Sequence, residues 1–88
     1  MSQQTKRQLN QTVGIIRNPV AEYISELEKI YPRAIGVTEV IRRHDNRVIV
    51  AVPLPEDEDE NIWLFDKMSE VGTKLLLETD EYIILSGQ

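Results

Sequence analysis

Residues 34–52 alternate between two kinds of side chain around a polar centre, the pattern of a β-hairpin with two distinct faces. With Asp45-Asn46 as a two-residue turn, Ile35, Val37, Ile41, Val48, Val50 and Val52 share one side. Thr38, Val40, Arg42, His44, Arg47, Ile49 and Ala51 share the other. The first set is wholly apolar and belongs in a core. The second mixes aliphatic with basic side chains, which suits a docking surface better than a plain solvent-facing sheet. Glu39 is the misfit, since this register turns it toward the core. A slip of one residue in either strand would exchange that strand's faces.

Two helices bracket the hairpin. Asn18 is a capping residue and Pro19 suits the first helical position. From there Val20, Tyr23, Ile24, Leu27, Ile30 and Tyr31 fall on one arc, opposite Glu22, Glu26, Glu28 and Lys29, until Pro32 stops the helix. After Pro53-Leu54-Pro55 and five consecutive carboxylates, a second helix runs to about Glu78. Its apolar arc holds Leu64, Phe65, Met68, Val71, Gly72, Leu75 and Leu76, with Asp66, Lys67, Glu70, Lys74 and Glu78 on the other side. Thr79-Asp80 breaks it, and Glu81-Tyr82-Ile83-Ile84-Leu85-Ser86 reads as the last strand.

Residues 13–16 admit two readings. They form a short strand, or Leu9, Val13, Ile16 and Val20 extend the first helix backward; Pro19 favours a break. The expected class is α+β, a two-layer sandwich with two helices on one face of a three- or four-stranded sheet. Its order is αββαβ, or ferredoxin-like βαββαβ if residues 13–16 insert a strand in the middle of the sheet. In either case a right-handed crossover makes the last strand parallel to the second hairpin strand. Residues 13–88 make one domain. Residues 1–12, rich in Gln, Asn, Ser and Thr with only Leu9 to bury beyond the initiator, are expected to be a flexible arm.

Composition narrows the function. A domain of 88 residues without cysteine has no disulfide or metal-thiolate to support a small core, and its composition fits the cytoplasm. The longest apolar runs, Val48-Ile49-Val50-Ala51-Val52 and Ile83-Ile84-Leu85, are far short of the roughly 20 residues a membrane span needs. No secretory signal opens the chain, so a soluble protein is expected. Net charge is −5, divided unevenly: residues 1–52 hold eight Lys/Arg against five Asp/Glu, and residues 53–88 hold two against ten. Such polarity would let the basic half of one copy meet the acidic half of another.

Three features invite chemical readings. Arg42, Arg43 and Arg47 crowd the hairpin tip and could contact phosphates, with Lys6, Arg7 and Arg17 of the arm as additional cations. The overall acidity and the absence of aromatic residues from the hairpin strands oppose nucleic acid as a partner. The acidic run 56–60 could attract a divalent cation, but carboxylates also gather at helix starts for the dipole, and the run lacks calcium-loop spacing. His44 stands alone, and Ser25, Ser69 and Ser86 lack nucleophile-elbow glycines. No enzyme activity, metal site or cofactor is therefore expected. Trp63 lies opposite the helix's apolar arc, either covered by a loop or serving as an anchor for another chain.

The leading expectation is a small cytoplasmic module that acts by association, most simply as a homodimer and otherwise with a protein partner. Its contact would be the open sheet face: Val40, Ile49, Ala51, Tyr82 and Ile84, with Thr38, Arg42 and Arg47 as a polar rim and Trp63 as a further anchor.

Overall fold

The computed structural model describes residues 17–88. The expectations for residues 1–12 and 13–16, and for Lys6 and Arg7, lie outside that range. The described chain is an α+β domain: α1 (Pro19–Ile30), β1 (Glu39–Arg42), β2 (Arg47–Val52), α2 (Glu58–Thr79) and β3 (Tyr82–Gly87). The strands form one mixed sheet ordered β1-β2-β3, antiparallel across the hairpin and parallel between β2 and β3. β2 and β3 pair directly over six residues, from Arg47 opposite Tyr82 to Val52 opposite Gly87. No strand stands between them, so the described elements follow the order αββαβ. Among the described residues, no helix is long and apolar enough to cross a membrane.

Local chemistry accounts for the helix ends. The Asn18 side chain accepts a hydrogen bond from the Ala21 N–H at 3.1 Å, and Pro19 occupies the first turn, where a missing N–H costs nothing. Asp57 caps α2 by accepting from the Glu60 N–H at 2.9 Å, which explains why the acidic run sits where it does. Asp80, in the left-handed conformation at φ 65°, ends α2 and turns the chain into β3.

β1 is shorter than the sequence suggests. Pro32–Ala34 forms a single 3-10 turn, and Gly36 at φ 83° prolongs the reversal. Ile35 and Val37, expected in the core, stand in this turn at 61% and 45% exposure. Backbone bonds from Ile35 N–H to Pro32 O and from Val37 N–H to Ala34 O hold them there, and the Thr38 hydroxyl donates to Ala34 O at 2.8 Å. A period-two pattern therefore continues past the point where hydrogen bonding has already made a turn.

The core lies between the helices and one side of the sheet. Val20, Tyr23, Leu27 and Tyr31 from α1 and its cap meet Leu64, Met68 and Leu75 from α2 over Val48, Val50, Val52 and Ile83. The Tyr31 hydroxyl donates to the Pro53 carbonyl, tying the end of α1 to the exit of β2. Burial in this core pushes the Tyr23 phenol well above its usual range. Gly72 allows α2 a close approach to β3: a Cβ there would sit 2.9 Å from the Ile83 carbonyl oxygen, a backbone atom that cannot rotate away.

Gly72→Ala therefore sets two effects against each other. Helix propensity favours alanine by about 1 kcal/mol, while overpacking against a fixed backbone costs about 1–3 kcal/mol. We expect a net loss, read as a melting temperature lowered by several degrees. Thr73→Ala, exposed on the same helix, should hold or raise it. An unchanged or higher melting temperature for Gly72→Ala would mean that α2 does not rest on β3 this closely.

Candidate functional site

The hairpin loop decides which side chains reach the open sheet face. It has three residues, not two. Arg43 N–H bonds to Arg47 O at 2.9 Å, Asn46 N–H to Arg43 O at 3.2 Å, and Asn46 takes φ 69°. This is a turn followed by a left-handed residue, a common three-residue closure. Asp45 reinforces it, accepting from the Arg47 N–H at 3.3 Å and from Arg47 Nε at 2.9 Å.

The extra residue moves β1 by one position against β2. Val40 pairs with Val50, Ile41 with Ile49 and Arg42 with Val48. Val40 and Arg42, expected on the open face, thus lie on the helix side, where Val40 remains 44% exposed because it stands on the edge strand. Ile41, expected in the core, is on the open face at 46% exposure. Glu39 moves to the open face with it and ceases to be a misfit. Thr38 is engaged with Ala34 and does not form part of the rim.

The open face as built holds three cross-strand rows. The middle row is Ile41–Ile49–Ile84, one isoleucine from every strand. Toward the hairpin loop lies Arg47 beside Tyr82, which is 47% exposed. Toward the other end lies Glu39–Ala51–Ser86. Ala51 is buried, and its carbonyl accepts from Gln88 Nε2 at 3.3 Å. Of the residues singled out from the sequence, Arg47, Ile49, Ala51, Tyr82 and Ile84 come together here. Trp63 does not: it stands on α2, beyond the sheet, at 45% exposure. Sequence reasoning missed Ile41 and Glu39, whose signal was the Glu39 misfit itself.

Arg42, Arg43 and Arg47 line one shallow pocket of about 310 Å³ together with Asn46, Asp80 and Glu81, although the three guanidinium groups are engaged differently. Arg42 lies on the helix side with Nη1 3.7 Å from Glu81 Oε1, while Arg47 is clamped to Asp45. That clamp lowers the Asp45 carboxyl and raises the Arg47 guanidinium, chiefly through their side-chain hydrogen bonds. Glu81 Oε1 is buried and accepts no hydrogen bond from the described residues. The acidic residues 56–60 are all exposed, and among the described residues no three His, Cys, Asp or Glu side chains converge as a metal site would require.

Two predictions test the loop. Asn46→Val forces a β-branched residue into the left-handed region, at a cost of about 1–2 kcal/mol, whereas Asn46→Gly should be nearly neutral. Equal thermal stability of the two variants would refute the left-handed residue. Because the folded Asp45 carboxyl is depressed, its pair with Arg47 supports the fold above the ordinary carboxylate range, and that support fades as acid titrates through the lowered value. Asp45→Asn should flatten the acid limb of a melting-temperature profile; an identical limb would show the clamp to be idle.

Comparison with protein-family models, with curated proteins and with solved structures finds no match to this chain.

Proposed function

We propose that this chain is a small binding module that works by association with a second copy of itself through the open sheet face. The observation carrying the reading is the unbroken Ile41–Ile49–Ile84 row on the side of the sheet that neither described helix covers. Exposed Tyr82 extends it, and an apolar patch with a charged rim has the composition of an interface.

Charge supports a second copy as the occupant. Arg43 and Arg47 stand at one end of the face and Glu39 at the other. A half-turn about the isoleucine row lays the Glu39 end of each copy over the arginine end of its mate, which is the isologous arrangement of a two-fold dimer. Such rim pairs steer orientation more than they add affinity. The cysteine-free composition goes with a cytoplasmic address.

The test is sedimentation velocity over a wide concentration range. Wild type should exceed monomer mass at high concentration. Ile49→Glu should sediment as a smaller species, with circular dichroism and melting temperature close to wild type, since its side chain lies outside the helix-covered core. A wild-type protein that stays monomeric even near millimolar concentration would end the reading.

A further inference from the structure

We infer that a second copy also docks along the outer edge of β3, which no described strand pairs, and the outer flank of α2, antiparallel and two-fold, joining two three-stranded sheets into one of six strands. This surface is separate from the open face, while the four-copy assembly drawn below rests on the reading above.

The two edges of the sheet differ in chemistry. β1 is four residues long and carries Glu39 and Arg42, charges of the kind that keep an edge from pairing. β3 presents six residues, Tyr-Ile-Ile-Leu-Ser-Gly, with neither charge nor proline. Beside it a groove of about 370 Å³ runs between β3 and α2, lined by Phe65, Ser69, Thr73 and Leu76 on the helix side. Phe65 and Leu76, which belong to the helix's apolar arc by sequence, are 38% and 37% exposed here.

The flank of α2 is self-complementary. Ile62, Phe65, Ser69, Thr73 and Leu76 are spaced by three, four, four and three residues, so the series reads the same in both directions. On a helix that spacing makes one continuous stripe, distinct from the core stripe of Leu64, Met68 and Leu75. A two-fold axis at Ser69 sets Ile62 of one copy opposite Leu76 of the other and Phe65 opposite Thr73, bulk against small, with the two serines meeting at the centre. A two-fold axis sets each position of the stripe against its counterpart, and here every such pair is matched in bulk.

Area points the same way. Three strands about 5 Å apart, two of six residues and one of four, give an open face of at most roughly 300 Å², below the roughly 800 Å² per partner of a standard interface. Edge pairing doubles that face and continues the isoleucine row through Ile84 into the second copy. The edge axis stands perpendicular to the sheet near Ile84, and the face axis lies along the row, so the two cross near that residue. Four copies then close as a dimer of dimers with no open ends.

Sedimentation of the full-length chain with three variants tests this. Ser69→Arg/Thr73→Arg places four cations around the edge axis at exposed positions. It should reduce four copies to two, as should Ile49→Glu, and the combined variant should be monomeric. If the arginine variant keeps the wild-type mass, the edge interface is overturned. It is also overturned if the mass depends on Ile49 alone, which leaves the face reading standing. Dissociation by the arginines but not by Ile49→Glu supports the edge and removes the face. Hydrogen exchange identifies another occupant: a wild-type monomer with outward β3 amides protected at every dilution has its edge filled by its own chain, which also overturns the inference.

Discussion

Side chains along a strand alternate with a period of two, so the length of a hairpin loop is a switch with two settings. Here the setting is held by Asn46 in the left-handed conformation and by Asp45, which binds both the backbone and the side chain of Arg47. Ile41 and Glu39 consequently face away from the helices, and the isoleucine row forms. A two-residue closure would set Arg42 opposite Ile49 and Val40 opposite Ala51, breaking the isoleucine row, and would turn Glu39 toward the helices with no compensating cation nearby on β2. Both the surface chemistry and the satisfaction of a carboxylate thus follow from one residue's backbone angle.

Much of the domain was legible in the chain because the relevant physics is local. Asn18-Pro19, Pro32, Asp57 and Thr79-Asp80 mark helix ends through hydrogen bonds within a few residues, and each acts at or beside the place its chemistry suggests. The parallel order of β2 and β3 follows from the handedness of crossovers. What escaped was decided non-locally or by parity. Ile35 and Val37 have strand-like side chains but lie in a turn set by Pro32 and Gly36. Phe65 and Leu76 are apolar enough for a core, yet the sheet is too narrow to cover them, because β3 is its last strand. Five of the nine proposed interface positions reach the open face; three were misplaced by the one-residue shift or the turn beside it. Trp63 stays exposed but stands on α2 and not on the sheet, since a helical wheel says that it avoids the core but not which layer it ends in.

The same narrowness bears on stability. A chain of this size buries a modest fraction of its surface and has no cysteine with which to add a cross-link. The core is nonetheless tightly joined where it exists: Leu27, Ala34, Val50 and Val52 are completely buried, and Gly72 lets helix and strand backbones touch. What remains exposed is aliphatic surface at the sheet's open face and along one side of α2. Covering it with a copy of the same chain would raise apparent stability by mass action, which gives association a physical benefit apart from any signal it transmits.

The uneven charge of the chain takes a different meaning once folded. Arg17 from the basic half forms a bidentate contact with Glu22 and reaches Glu78 of the acidic half at 2.9 Å; Arg42 approaches Glu81 across the sheet. The two halves therefore meet within one molecule, where exposed pairs of this kind each add little to stability but fix which ends of α1 and α2 lie together. Of the ten carboxylates in residues 53–88, only Glu78 and Glu81 enter such pairs among the described residues, so much of the acidic surface stays unpaired. Association, if it is to be strong, has to come from Ile41, Ile49, Ile84 and the α2 flank, with charge acting only to choose the orientation in which those surfaces meet.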